Sequence, residues 1–292
     1  MKFSRAYVEI TNICGLSCSF CPPKTEPTQT MELPFFKTVL NELKPYTDEI
    51  ALHVMGDPMV LSNLRNHLDS AYNLGFKVMI TTSGFYLDPL RREALFHPAL
   101  RQLNISLNSF NKNSVSRTFE AYMEPILALC DEKLSREVDF FINLRLWNLD
   151  DVHSESRFNE RLFALLENHF ALEPGMIALQ ISGERQSIRL ASKILLHFDR
   201  YFQWPNLDND TLTHGYCQGL GKQIAILSDG RVVPCCLDSE GIIELGNLRE
   251  TNLGKILSSE RAVAIRDGFS RGECVEELCQ KCRYKERFNK EV

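Results

Sequence analysis

Cys14, Cys18 and Cys21 form a Cys-x3-Cys-x2-Cys cluster directly after the apolar run Ala6-Tyr7-Val8-Glu9-Ile10. Three thiolates this close in sequence can converge on one soft metal centre. Three is one fewer than a four-iron cluster needs, so one iron would stay open to another molecule. A zinc knuckle or three core cysteines have the same spacing and stay open on spacing alone. A second group, Cys217, Cys235, Cys236, Cys274, Cys279 and Cys282, lies near the other end, with Cys130 alone between. In a reducing compartment, ten cysteines divided in this way are metal ligands or reactive thiols before they are disulfides. Two clusters argue for two metal sites.

The elements that must position these thiols alternate. Apolar, β-branched runs at 6–11, 50–55, 76–82, 103–107, 138–146 and 177–181 read as strands. Between them run helix-period stripes: Phe36, Val39, Leu40 and Leu43; Leu61, Leu64, Leu68 and Ala71, closed by Gly75 as C-cap; and a weaker segment at 89–96. Val115, Phe119, Tyr122, Met123 and Ile126 make a fourth stripe, with Pro125 as a kink or early stop. Phe158, Leu162, Leu165 and Leu166 make the fifth, and Ile188, Ala191, Ile194, Leu195 and Phe198 the sixth. Six strand–helix pairs imply an α/β fold with a parallel sheet and helices outside, open or curled into part of a barrel. Ligands of such folds bind at the carboxyl ends of the strands, where the first cysteines lie. The polar segment 203–210 reads as a linker, dividing the chain into 1–205 and 206–292. Beyond it, 224–227 and 231–233 flank Ser228-Asp229-Gly230 as a hairpin, and 253–266 and 275–288 read as helical.

Composition excludes little but is consistent. Apolar residues at 44% and charged residues at 24% are globular values. A net charge of −5 gives no basic footprint, which makes nucleic acid an unlikely partner. The sequence has no run of eighteen apolar residues, and Met1–Arg5 lacks the apolar stretch of a signal peptide, so a cytoplasmic protein without a membrane partner is expected.

The segment Val8-Glu9-Ile10-Thr11-Asn12-Ile13-Cys14-Gly15-Leu16-Ser17-Cys18-Ser19-Phe20-Cys21-Pro22 resembles the opening of radical S-adenosylmethionine (SAM) enzymes. The resemblance implies a partial (β/α)6 TIM-like barrel, with a [4Fe-4S] cluster on the three thiolates and SAM on its open iron. Reductive cleavage of SAM then gives a 5′-deoxyadenosyl radical that takes a substrate hydrogen. Met55-Gly56-Asp57-Pro58 is similar to the family's Gly-Gly-Glu-Pro segment, so Gly56 and Asp57 are expected at the SAM amino group, although Met55 replaces a glycine and Asp57 is a methylene short. Ser83 lies in Thr81-Thr82-Ser83-Gly84, which resembles a Thr-Asn-Gly segment. Ser106 and Asn108 resemble positions that meet the ribose or carboxylate of SAM, and Phe20 is expected beside the adenine. Arg145, a charge inside a strand run, needs a carboxylate: that of SAM, or a helix side chain in a salt bridge.

The second cysteine group resembles the SPASM auxiliary-cluster domain, where Cys-x(9-15)-Gly-x4-Cys precedes Cys-x2-Cys. Here Cys217, Gly230, Cys235, Cys279 and Cys282 take those places and no cysteine follows Cys282, which matches the shorter Twitch version with one auxiliary [4Fe-4S] cluster. Its ligands are then Cys217, Cys235, Cys279 and Cys282, with a structural zinc site as the rival. Cys236 should point away from its neighbour and be buried, Cys274 could substitute as a ligand, and Cys130 is core. His53 is an interior residue or faces the cavity. His214 lines the site or caps a turn. Glu184 and Arg185 are substrate contacts at the cavity mouth or part of a solvated loop.

The expected activity is therefore a radical SAM oxidation of a small polar metabolite, with electrons from a flavodoxin- or ferredoxin-type donor and the auxiliary cluster accepting one from the substrate. Peptide modification comes second, with an early first strand leaving no room for a peptide-binding domain before it, and RNA modification third. A non-enzymatic protein with two structural metal sites is the rival from another class.

Overall fold

The computed structural model describes residues 1–113, 115–149, 155–183 and 185–288. From the N-terminus, β1 (Arg5–Val8) is followed by α1 (Leu33–Leu43), β2 (Glu49–Ala51), α2 (Leu64–Asn73), β3 (Lys77–Thr82), α3 (Pro89–Ala94) and β4 (Leu100–Ser106). Then come α4 (Phe119–Ser135), β5 (Phe141–Leu146), α5 (Ser156–His169), α6 (Met176–Ser182), β6 (Ser187–Ala191) and β7 (Ile194–Phe198). The C-terminal part holds β8 (Gln223–Ile226), β9 (Arg231–Val233), β10 (Gly246–Asn247), α7 (Leu253–Leu257), α8 (Glu260–Ser270) and α9 (Glu277–Gln280).

Among the described residues these strands form one sheet in the order β10-β9-β8-β1-β2-β3-β4-β5-β7-β6. The run from β1 through β5 to β7 is parallel throughout. It is the six-stranded partial barrel: residues of β1, such as Tyr7, and of β7, such as His197, line one cavity. The strands alternate to fit that shape. In β5, Ile142, Leu144 and Leu146 are buried, while Phe141, Asn143 and Arg145 are only partly so, which is the period of two that sends alternate side chains to helices and lumen. The helices answer with apolar stripes, such as Phe36, Val39, Leu40 and Leu43 on α1.

Two expected elements are reversed. The segment at 177–181 is not a strand but α6, whose N-terminus is held by the Glu167 carboxylate accepting from the Gly175 and Ile177 amides, both at 2.8 Å. The expected sixth helix is instead the antiparallel hairpin β6–β7, turning at Lys193 (φ 56°), and β7 supplies the sixth parallel strand. Ile194, Leu196 and Phe198 are buried with period two. The stripe Ile188–Ala191–Ile194–Leu195–Phe198 had overlaid a helical period on the same short apolar run. Pro125 neither stops α4 nor shortens it. Tyr122, Met123, Ile126 and Leu129 are buried on both sides of it, which outweighs the ~3 kcal/mol cost of an interior proline. The segment at 253–266 is two helices, divided where Ser259 caps α8. That at 275–288 is α9 and a 3-10 turn at Arg283–Phe288.

The hairpin β8–β9 forms as its Ser228-Asp229-Gly230 turn predicts, and β8 also pairs in parallel with β1, Ala6 opposite Ile224. The segments on either side of residue 205 therefore share one sheet. No helix among the described residues is long and apolar enough to cross a membrane.

Candidate active site

A cavity of about 580 Å³ opens at the carboxyl ends of the barrel strands. Cys14, Cys18 and Cys21 all line it, as do Phe20, Gly56, Asp57, Ser83, Ser106, Asn108 and Arg145. Every residue expected at the SAM site thus faces one space.

The cysteine loop is held from several sides. Thr11 Oγ1 donates to the Gln29 carbonyl at 3.0 Å and accepts from the Ile13 amide at 3.1 Å. Asn12 spans to the Pro27 carbonyl and the Gln29 amide, both at 2.7 Å. Tyr86 Oη donates to the Cys14 carbonyl at 2.9 Å, lying so close over Gly15 (φ 70°) that a Cβ there would sit 2.0 Å from that oxygen. The Asp57 amide donates to the Ile13 carbonyl at 3.0 Å, tying the loop to the segment after β2. That contact depends on Gly56, where a Cβ would lie 1.9 Å from the Thr11 carbonyl oxygen. The close approach foreseen for Gly56 is made first to the protein's own backbone.

Asp57 is 2% exposed, and its Oδ2 accepts from Thr82 Oγ1 at 2.9 Å and from Ser83 N and Oγ at 2.8 Å. Among the described residues its Oδ1 accepts from Met59 N alone, at 3.0 Å, which leaves that oxygen a further acceptor position. Burial raises the Asp57 pKa against those four hydrogen bonds. Ser83 is thereby fixed to the end of β3. Below it, Asn143, Asn104 and Thr81 form a hydrogen-bonded polar row across β5, β4 and β3, of which Asn104 and Thr81 line the cavity.

Arg145 points into the lumen beside Ser106 and His197 on the neighbouring strands. The expected salt bridge to a helix is not formed. Among the described residues Arg145 has no carboxylate partner, and its guanidinium stands 5.1 Å from the Trp147 ring centre. His53 also lines the cavity, its Nδ1 buried without a hydrogen-bond partner, and burial with Arg145 and Arg5 nearby depresses its pKa to about 3. Tyr7, Trp147, His197, Tyr201, Phe202, Trp204 and Tyr284 complete the wall and were not foreseen. Alternation from Arg5 to Tyr7, and from Arg145 to Trp147, would have found two of them.

The second cysteine set converges as well. Cys217, Cys235, Cys279 and Cys282 line one small cavity with Pro205, Pro234, Leu237, Ile243, Phe269 and Leu278. Burial pushes the Cys217 thiol up to about 11, and raises Cys235 and Cys279 well above the ordinary thiol value, with neighbouring thiols adding to it. Cys274 is buried and lines neither cavity, its thiol 3.9 Å from the Gly215 carbonyl. Cys130 is buried on α4. Cys236 does point away from Cys235, but into the large cavity, where it meets Tyr7. His214 and Arg185 are exposed and line neither cavity, and Glu184 lies outside the described residues.

Both donor sets suit iron–sulfur clusters: three soft thiols with one side open to a large cavity, and four in an apolar one. A single zinc ion needs ligands drawn in to ~2.3 Å. Among the described residues no three or more His, Cys, Asp or Glu side chains could hold one metal ion as they stand. Gln223, Leu237 and Tyr284 line both cavities, so one layer of side chains separates them. Glu9 ties the end of β1 to two other segments. It is 3% exposed, and accepts from Met55 N at 3.0 Å, beside the first cysteine loop, and from Ser228 N and Oγ at 3.2 and 3.0 Å in the β8–β9 turn.

Comparison with known proteins agrees with this geometry. The radical SAM superfamily matches residues 8–157, and an iron-sulfur cluster-binding domain, SPASM, matches residues 217–283. BtrN in complex with AdoMet and 2-DOIA superposes with a TM-score of 0.60 at 18% identity, covering 97% of this chain and 94% of its own. Streptococcus suis SuiB bound to precursor peptide SuiA gives 0.62 at 13%, over 100% and 74%. anSMEcpe with bound AdoMet gives 0.59 at 11%, over 96% and 86%. At these identities the likeness is one of fold. No curated protein matches the sequence significantly. Cysteine spacing, barrel and sequence match lead to one conclusion: this chain belongs to the radical SAM superfamily, with SAM and a [4Fe-4S] cluster as its cofactors and a SPASM iron–sulfur domain at its C-terminal end.

Proposed function

We propose that the chain is a radical SAM oxidoreductase that removes hydrogen from a small polar metabolite and passes one electron to its auxiliary cluster. The observation behind this reading is the thin wall between the two cavities, with Cys235 facing one and its neighbour Cys236 the other. Cys14, Cys18 and Cys21 would hold the first cluster, and Cys217, Cys235, Cys279 and Cys282 the second. Once bound, SAM and the clusters supply abstraction of a substrate hydrogen atom and acceptance of the second electron, a proton leaving to complete a two-electron oxidation. The chain's own residues do the rest. Asp57 Oδ1, Ser83 and Asn108 offer polar anchors near the first thiols, and Asn104 and Thr81 add a polar strip to the lumen wall. Phe20, Trp147, Tyr201, Phe202 and Trp204 exclude water from the lumen. The lumen lies within the size range of small-ligand sites, which supports a metabolite as substrate. So does the end-to-end fold likeness to BtrN, crystallised with AdoMet and 2-DOIA. SuiB bound to its precursor peptide supports a peptide substrate as the second reading.

Anaerobic reconstitution tests this. About eight iron and about eight sulfide per chain are expected, with 5′-deoxyadenosine formed when SAM and reductant are added. Candidate metabolites should give a product two electrons more oxidised, one 5′-deoxyadenosine per turnover. A redox-neutral product with SAM regenerated would sink the oxidation.

A further inference from the structure

The charges around the large cavity are almost all answered by the protein itself. Arg5 donates to Glu49 at 2.9 and 2.6 Å. Asp57 accepts four hydrogen bonds, and Asp199 pairs with Arg287. Lys222 is exposed to solvent. Arg145 is the exception. It is partly buried and faces the lumen with an aromatic ring on one side and no carboxylate among the described residues. Burial lowers its pKa to about 10, so it remains a cation at neutral pH, and the nearby groups that favour its charge are Tyr7, Tyr284 and Cys236. A buried cation without a counter-ion is costly, and a planar guanidinium fits a carboxylate or phosphate edge-on.

The cavity has two poles. Around Cys14 and Cys18 lie Asp57, Lys24 and Ser109. Around Arg145 lie Arg5, Tyr7, Tyr284, Cys236 and His53. Cys236 adjoins Cys235 of the auxiliary site, so the Arg145 pole is the one nearer that site. A carboxylate held beside the first cysteines would belong to the opposite pole.

We propose that the substrate carries an anionic group, a carboxylate or a phosphate, that Arg145 receives at the auxiliary-site end of the cavity. His53 Nδ1, buried and unpartnered in the same wall, supplies a neutral polar contact beside it. The anion would hold the reacting carbon between the two cysteine sets. This inference rests on the cavity being the substrate site, and it makes the substrate a small organic acid or phosphate ester.

The test uses reconstituted holoenzyme titrated calorimetrically with inorganic phosphate and with acetate, each with and without saturating SAM. One probe should bind, should bind alongside SAM, and should weaken at least tenfold in Arg145→Gln. Phosphate alone binding points to a phosphorylated substrate, acetate alone to a carboxylic acid. Equal binding to wild type and Arg145→Gln would overturn the proposal. So would displacement of the probe by SAM together with a tenfold loss of SAM affinity in the variant, which would give Arg145 to the SAM carboxylate. If Arg145→Gln does not fold, Arg145→Lys must still bind the probe, and failure there also overturns it. None of these readouts needs turnover, so absence of 5′-deoxyadenosine would count against the catalytic reading while leaving the anion site standing.

Discussion

Gly56→Ala offers a sharp test of how the cysteine loop is held. The added methyl would lie 1.9 Å from the Thr11 carbonyl oxygen, 2.7 Å from its carbon and 3.0 Å from the Asn12 carbonyl carbon. All three atoms are backbone, so no side-chain rotation relieves the clash. The two loops must separate by more than an ångström, enough to break the 3.0 Å bond from the Asp57 amide to the Ile13 carbonyl. Overpacking of this kind costs about 2–3 kcal/mol, a loss of roughly 3–5 °C in melting temperature for a chain of this size. Thermal unfolding of the cluster-free protein measures it, and iron bound per chain reports whether the three thiols still converge. Gly183→Ala is the control, since its new methyl meets only carbonyl oxygens at 3.5 and 3.7 Å. If Gly56→Ala melts within a degree of wild type and binds its full iron, the backbone contact does not organise the loop and the reasoning fails.

Other outcomes follow from the same geometry. Cys235→Ser should lose about half the reconstituted iron, whereas Cys236→Ser and Cys274→Ser should keep it all; iron loss from either of the latter would redraw the auxiliary ligand set. Burial raises the Glu9 pKa above its ordinary 4.5, so its contribution to stability is full below that value and declines as pH rises through the raised one. Melting temperature followed upward from pH 4.5 should therefore depend less steeply on pH in Glu9→Gln, and an unchanged slope would contradict the assignment. His53 behaves in the opposite sense: its depressed pKa means stability present above about 6.5 and lost as pH falls toward about 3. His53→Phe should flatten that acid limb of the melting curve.

Much of the site could be read from the chain because coordination chemistry is written in local spacing. Cys14, Cys18 and Cys21 lie on one loop, and Cys279 and Cys282 on one turn, so their convergence needs little tertiary information. The polar residues at strand ends were legible for a related reason, since the fold sends every such end to the same mouth. The failures are equally physical. The run from 188 to 198 is short enough to satisfy two periods at once, and the hydrogen bonds of the β6–β7 hairpin decided between them. The run from 177 to 181 became helical because Glu167, ten residues before Ile177, caps it. Nothing local to Glu9 says that it grips both Met55 and Ser228, and nothing local to Cys236 says that the wall it stands in is one side chain thick. Those facts belong to contacts between distant parts of the chain.

The pairing of β8 with β1 has a consequence for the order in which the protein is made. β1 is translated over 200 residues before one of its two neighbours, with Ile224 opposite Ala6. Until then that edge of the nascent barrel presents unpaired backbone next to the Cys14–Cys21 loop, the kind of edge other chains pair with. Premature termination before residue 223 should therefore yield aggregates in place of a soluble half-enzyme.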